Sequence, residues 1–192
     1  NDIEKLHISK QPRSTGAFYA SMTEMLGYKY DSDEWKVMAL SATNKINEKA
    51  KSYIEIFKNV TALGGIAPLL KNKFFNTDQP REKFLTTKKL RKMLEAPEII
   101  KDRNSKTYRE WQMNIAAAMQ KFISDYTFDA ISKISEKFRS KRENICLSGG
   151  FFMNCVFNGE LERSKLYENI FISQSPADLG NSIGAALYVE HV

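Results

Sequence analysis

Apolar residues recur at helical spacing through most of this chain. The clearest run covers residues 107–139, where Tyr108, Trp111, Ile115, Met119, Phe122, Tyr126, Ala130, Ile134 and Phe138 return every three or four positions. This predicts one long helix, or two with a break near Thr127, and its aromatic stripe reads as core. Shorter helices are predicted over 14–26, 34–42, 46–57 and 86–94. The first carries Phe18, Met22, Met25 and Leu26 on one face with Gly27 as its stop, and the last ends before Pro97. Residues 60–75 read as two strands broken by Gly64-Gly65. Residues 1–14 read as a linker or the end of a preceding lobe.

Toward the C-terminus the pattern changes to short apolar runs followed by glycine. Asn144-Ile145-Cys146-Leu147 reads as a buried strand, Ser148-Gly149-Gly150 as a turn, and residues 154–165 as a helix. A second unit follows: the strand Ile170-Phe171-Ile172-Ser173, a turn carrying Asp178 and Gly180, and a helix with Gly184, Ala185 and Ala186 on its first turns. Those small residues would let the helix lie close to a sheet or a ligand. Two strand–turn–helix units in tandem point to an α/β nucleotide site, because each turn brings backbone amides and a helix N-terminus toward an anion. Each residue also has a plainer reading. A lone Gly-Gly is more often a tight turn, Asp178 and Asn154 suit helix caps, and Lys36 suits a solvated surface.

Composition narrows the setting. A chain of 192 residues suffices for one domain or one lobe of a larger protein, and a start at Asn1 suggests a piece of a longer chain. No apolar run approaches the ~20 residues of a membrane span, and no signal-peptide pattern opens the chain. Cys146 and Cys155 read as reduced, mostly buried thiols of a cytoplasmic protein. The net charge of +6 is concentrated between Lys71 and Lys92, where eight basic residues face only Asp78 and Glu82. With Phe74, Phe75 and Phe84 interleaved, that segment could be a nucleic-acid patch, but a solvated helix face is the preferred reading. His7 and His191 stand at opposite ends, Ser148 has no nearby histidine in sequence, and neither a P-loop nor a dinucleotide fingerprint is present.

The motifs themselves are informative. Leu147-Ser148-Gly149-Gly150-Phe151-Phe152-Met153-Asn154-Cys155-Val156-Phe157-Asn158-Gly159 resembles the Leu-Ala-Gly-Gly-Val-Ala-Leu-Asn-Cys-x-x-Asn-Gly motif of O-carbamoyltransferases of the NodU/CmcH type. Asp178-x-Gly180-x-x-x-Gly184-Ala185-Ala186 resembles their Asp-x-Gly-x-x-x-Gly-Ala-Ala. The helix from Gly16 to Tyr28, the run Glu34-Trp35-Lys36-Val37-Met38-Ala39-Leu40, and Ile115-Ala116-Ala117-Ala118-Met119-Gln120 are similar to three further family motifs, in the same order. Departures are Ala39 for the usual glycine, Phe151 and Phe152 for small residues beside Gly-Gly, and Pro176 nearer the aspartate than the family's proline.

The resemblance implies an α/β chain with long helices: a ribonuclease-H-like lobe of the actin-like, sugar-kinase ATPase fold. Residues 15–192 would be the second lobe of that carbamoyltransferase domain. It implies ATP or carbamoyl-adenylate as cofactor, carbamoyl phosphate as donor, a small hydroxylated molecule as acceptor, and a divalent metal, iron or magnesium. By motif position Asp178 would be a metal ligand and catalytic residue. Gly149, Gly150, Asn154 and Gly180 would line the nucleotide, with Lys36 reaching toward its phosphates. The first lobe and an adenylate-forming domain would belong to the same polypeptide, so these residues alone are expected to be inactive. The alternative is a degenerate actin-like module that binds nucleotide without turnover.

Overall fold

The computed structural model describes residues 5–10, 12–62, 64–76, 85–97, 104–137 and 143–191. The chain divides into two compact units, Asn1–Ala130 and Ile131–Val192. The first contains α1 (Thr15–Met25), α2 (Glu34–Ser41), α3 (Glu48–Val60), β1 (Thr61–Ala62), β2 (Leu69–Leu70), α4 (Lys88–Met93) and most of α5 (Lys106–Lys137). The helices start where a side chain can accept an otherwise unpaired amide. Ser14 caps α1 through the Ala17 N–H, Asn47 caps α3 through Ala50, and Thr87 caps α4 through Leu90. At the end of α1, Gly27 takes φ 86°, the left-handed turn that glycine allows without steric cost.

Four phenylalanines form the centre of this unit. Phe18 of α1 meets Phe57 of α3 at 5.4 Å between ring centroids, Phe122 of α5 at 5.2 Å, and Phe75 at 6.2 Å. All four are buried, and edge-on or tilted ring pairs of this kind add to the area they remove from water. Polar ties fix the helices around them. The Tyr19 hydroxyl donates to Gln120 Oε1 at 3.0 Å, and Gln120 Nε2 donates to Ser124 Oγ at 3.0 Å. The Leu26 carbonyl accepts from the Tyr108 hydroxyl at 3.0 Å and Gln112 Nε2 at 2.8 Å, satisfying an acceptor at the end of α1. Trp111 Nε1 donates to the Leu94 carbonyl at 2.7 Å, and Arg91 pairs with Glu24 at 2.6 Å.

The two expected strands form a short antiparallel pair, Thr61 opposite Leu70 and Ala62 opposite Leu69. Gly64 and Gly65 take φ 116° and 80° in its loop, and their carbonyls accept from the Tyr126 hydroxyl. Residues expected as linker contribute here: Arg13 bridges Leu69, and its guanidinium donates to the Gly64 carbonyl. Helix α5 runs without a break past the buried Thr127. Its middle, from Ile115 to Gln120, is buried at every position, which three consecutive alanines permit by letting neighbours approach on all sides. Beyond Ala130 the buried positions are Ile131 and Ser135, while Ile134, expected in the stripe, is 36% exposed. Phe138 and Arg139 lie outside the described residues.

The second unit pairs β3 (Asn144–Leu147) and β4 (Asn169–Ile172) in parallel, with a 3-10 turn over Gly150–Met153 and α6 (Cys155–Ser164) between them and α7 (Gly180–His191) after. Leu147, Phe157, Leu161 and Tyr167 are among its buried residues, with Phe151 and Phe152 packed on Phe157 at 5.4 and 6.1 Å. The Ser135 and Tyr167 hydroxyls hydrogen-bond at 2.5 Å. Two expectations are corrected here. The strands are not buried: β3 buries only Leu147, and β4 alternates exposed and half-buried. Nor are the thiols, since Cys146 and Cys155 are both exposed. A parallel pair needs cover on two faces, and Cys146 lies beside Phe171, 64% exposed, on a face without it; Cys155 is the first residue of α6.

Tyr53, on the buried face of α3, supplies a pH test of the first unit. Burial, reinforced by the negative charge of Glu95, pushes its hydroxyl up to about 12 from 10.0. In the unfolded chain the phenol ionises from pH 10 upward, whereas the fold holds it neutral, so stability falls as pH rises from 10 toward 12. Tyr53→Phe should therefore melt like the wild type at neutral pH and lose less stability over that alkaline interval, as read from thermal melts across pH.

Candidate functional site

The Gly-Gly turn and the acidic turn are joined by one backbone atom. The carbonyl of Pro176 accepts the Gly149 N–H at 2.6 Å and the Ser148 Oγ–H at 3.2 Å. This is what makes Gly149 necessary: it sits at φ 110°, outside the range of ordinary L residues, so that its amide can turn toward the second loop. The chain then makes a 3-10 turn before α6, which starts where the sequence places it, with Asn154 as its cap. Within that turn Phe152 N–H returns to the Gly149 carbonyl and Asn154 N–H to Phe151. Among the described residues the amides of Gly150 and Phe151 meet no acceptor, so two donors remain at an exposed turn.

Asn154 is buried, and its side chain accepts the Phe157 N–H at 3.1 Å; it is the cap of α6. Its position directly after the turn fixes where the open amides stand relative to the helix start. Asp178 is exposed, two residues beyond the anchored Pro176 carbonyl. Its backbone carbonyl accepts Asn181 N–H at 3.2 Å, whereas no hydrogen bond reaches its carboxylate among the described residues. The exposed carboxylate is thus an available hard oxygen donor. Gly180 begins α7 under steric compulsion: a Cβ there would lie 2.3 Å from the Ser175 carbonyl oxygen. Gly149, Gly150, Asn154, Asp178 and Gly180 therefore share the second unit.

Lys36 belongs to the first unit. Its Nζ pairs with Asp33 Oδ1 at 2.8 Å and stands 5.4 Å over the Trp35 ring. That contact, with a backbone bond from Lys29, holds the Asp33 carboxyl below its usual range. Pro176 is the site residue sequence reasoning missed; its role is a backbone carbonyl, which no side-chain pattern announces. A 270 Å³ cavity in the first unit, lined by Leu26, Gly27, Tyr28, Tyr108, Arg109 and Gln112, includes none of the expected site residues. In the basic segment, Lys71 donates to the Asn59 carbonyl, Arg91 is tied to Glu24, and Lys89 lies over Phe74. Arg81, Lys83 and Phe84 fall outside the described residues.

The family model described as the carbamoyltransferase N-terminus matches residues 2–187. The chain belongs to that family. The chain is also similar to an uncharacterized protein of Synechocystis sp., 32% identical over 94% of this chain and 28% of its own length. An uncharacterized protein of Methanocaldococcus jannaschii is 27% identical over 97% of this chain and 32% of its own. Nodulation protein NolNO of Sinorhizobium fredii is 29% identical over 46% of the chain and 13% of its own length. The chain thus spans about a third or less of the relatives it matches.

The two helix-7 glycines separate steric from conformational need. Gly180→Ala should lower stability by about 1–3 kcal/mol, because a backbone oxygen must move to admit the methyl. Gly184→Ala, where an added Cβ meets nothing within 4 Å, should be neutral or stabilising by up to ~1 kcal/mol. Denaturant titration of both variants measures the difference.

Proposed function

We propose that this chain is the nucleotide-facing part of a carbamoyltransferase with an actin-like fold, in which it supplies a ribonuclease-H-type lobe. The full polypeptide would form carbamoyl-adenylate from carbamoyl phosphate and ATP and pass the carbamoyl group to a hydroxyl of a small molecule. In that step the hydroxyl oxygen bonds to the carbamoyl carbon, the bond from that carbon to the adenylate phosphate oxygen breaks, AMP leaves, and the hydroxyl proton is released. The observation that carries this reading is the Pro176 carbonyl, which holds the Gly-Gly turn and the Asp178 turn together.

Each group then has a role that its chemistry supports. The open Gly150 and Phe151 amides would donate to phosphate oxygens, stabilising the charge that builds on the departing adenylate. Asn154, by capping α6, would keep those amides in place. Gly180 would keep the acidic turn close-packed. Asp178 fits a divalent metal as one ligand: its carboxylate is exposed and carries no hydrogen bond among the described residues. No group of three or more His, Cys, Asp or Glu side chains suited to a metal occurs among those residues, so the other ligands would come from elsewhere in the polypeptide. A bound metal would polarise phosphate or carbonyl oxygens.

Two substitutions in the full-length polypeptide test this. An added Cβ at Gly150 meets nothing within 4 Å, so Gly150→Val should leave the melting temperature nearly unchanged. It should weaken ATP binding by about tenfold or more, ~1.4 kcal/mol, in calorimetric titration. Equal losses of stability and affinity would return the turn to a purely structural role. Asp178→Asn removes the charge but keeps the shape, so metal content by elemental analysis should fall and carbamoyl transfer should cease, while the metal-free protein melts within ~1 kcal/mol of wild type. Wild-type metal content in that variant would remove Asp178 from the site.

A further inference from the structure

The cavity of the first unit is built where α1 ends against the start of α5. Gly27 turns the chain at φ 86°, and the Tyr28 N–H returns to the Thr23 carbonyl at 3.1 Å, which fixes Tyr28 at the helix end. Helix α5 supplies Tyr108, Arg109 and Gln112, whose spacing gathers them on one side of its first turns. The Tyr108 hydroxyl and Gln112 Nε2 both donate to the Leu26 carbonyl, at 3.0 and 2.8 Å. Trp111 packs on the Tyr108 ring at 5.6 Å and is itself held by the Leu94 carbonyl. Leu26 is fully buried and Tyr108 is buried too, so the 270 Å³ space is lined by side chains that are already locked in place.

Three polar groups on this lining are left over. Gln112 spends its Nε2 on Leu26, and its Oε1 accepts nothing among the described residues. Among those residues the Tyr28 hydroxyl has no hydrogen bond, and the Arg109 guanidinium has neither hydrogen bond nor ion pair. No carboxylate lines the cavity.

These groups select a ligand. A guanidinium presents a planar fork that matches an oxyanion. Tyrosine rings favour a flat ring against their faces or edges, and a carboxamide oxygen accepts from a hydroxyl. One cation balances one negative charge, so a carboxylate fits better than a phosphate, which carries close to two. The volume lies just below the ~300 Å³ at which ligand pockets begin, which admits a single small ring.

We propose that this cavity binds a small hydroxylated ring carboxylate, its carboxylate on Arg109 and its hydroxyl on Gln112. None of Gly149, Gly150, Asn154, Asp178 and Gly180 lines the cavity, so this site and the carbamoyl chemistry stand or fall separately.

The probe is 4-hydroxybenzoate, with phenol and inorganic phosphate as comparisons. Calorimetric titration of the full-length polypeptide should show one site of millimolar affinity or tighter. Amide exchange should slow over residues 26–28 and the first turns of α5. Phenol lacks the charge and should bind about tenfold or more weakly, a comparison that leaves the protein unaltered. Arg109 is exposed, so Arg109→Met should melt like the wild type and lose affinity for the probe by about tenfold or more. Equal affinity in Arg109→Met and wild type would overturn the proposal. So would phosphate or phenol binding as tightly as the probe, protection confined to other parts of the polypeptide, or no heat and no protection at millimolar probe.

Discussion

The arrangement of the second unit depends on the Pro176 carbonyl. It accepts a backbone amide from Gly149 and a hydroxyl from Ser148, and those two bonds join loops 28 residues apart in sequence. A carbonyl has two lone pairs, so one atom can serve both. Once both are used, Gly149 is held in its left-handed conformation, the following turn points its next two amides outward, and Asp178 lies two residues from the anchor. Packing of Phe151 and Phe152 on Phe157 supports the turn from one side, while Ser148, Gly149, Gly150 and Asp178 are exposed.

The first unit is stabilised differently. Its centre is the contact of Phe18, Phe57, Phe75 and Phe122, brought from three helices and a loop. Buried polar bonds at Tyr19, Gln120, Tyr108 and Trp111 satisfy what that apolar core would otherwise leave unpaired. Such a core tolerates no void and so fixes the helices, whereas the second unit leaves its apolar residues half in solvent. The contrast accounts for where sequence expectations fared well. Patterns that report on burial were accurate in the first unit and overstated burial in the second.

The helices of the first unit were legible because local signals agree with packing there. Ser14, Asn47 and Thr87 cap where their residue types suggest, Gly27 stops α1, and the α5 stripe from Tyr108 to Phe122 is core. At Thr127 the sequence offered a break that the structure lacks, since a single β-branched residue cannot interrupt a helix buried on both sides of it. Ile134 failed for a related reason. The apolar period continues in sequence, but the packing partners change beyond Ala130, and Ile131 and Ser135 turn inward instead.

By itself the sequence determined the order of elements, both strand–turn–helix units, and the glycine and acid positions of the candidate site, because these are set by short-range chemistry. It also determined the family, through motifs that keep their order along the chain. Only the tertiary structure decided what each glycine is for. Gly149 satisfies a backbone angle, Gly180 makes room for a carbonyl oxygen, and Gly150 and Gly184 face open space. It likewise decided that Asn154 caps a helix and that Cys146 is exposed. These distinctions rest on atoms brought together from distant parts of the chain, and a pattern of residue types carries no record of which backbone oxygen will stand opposite which amide.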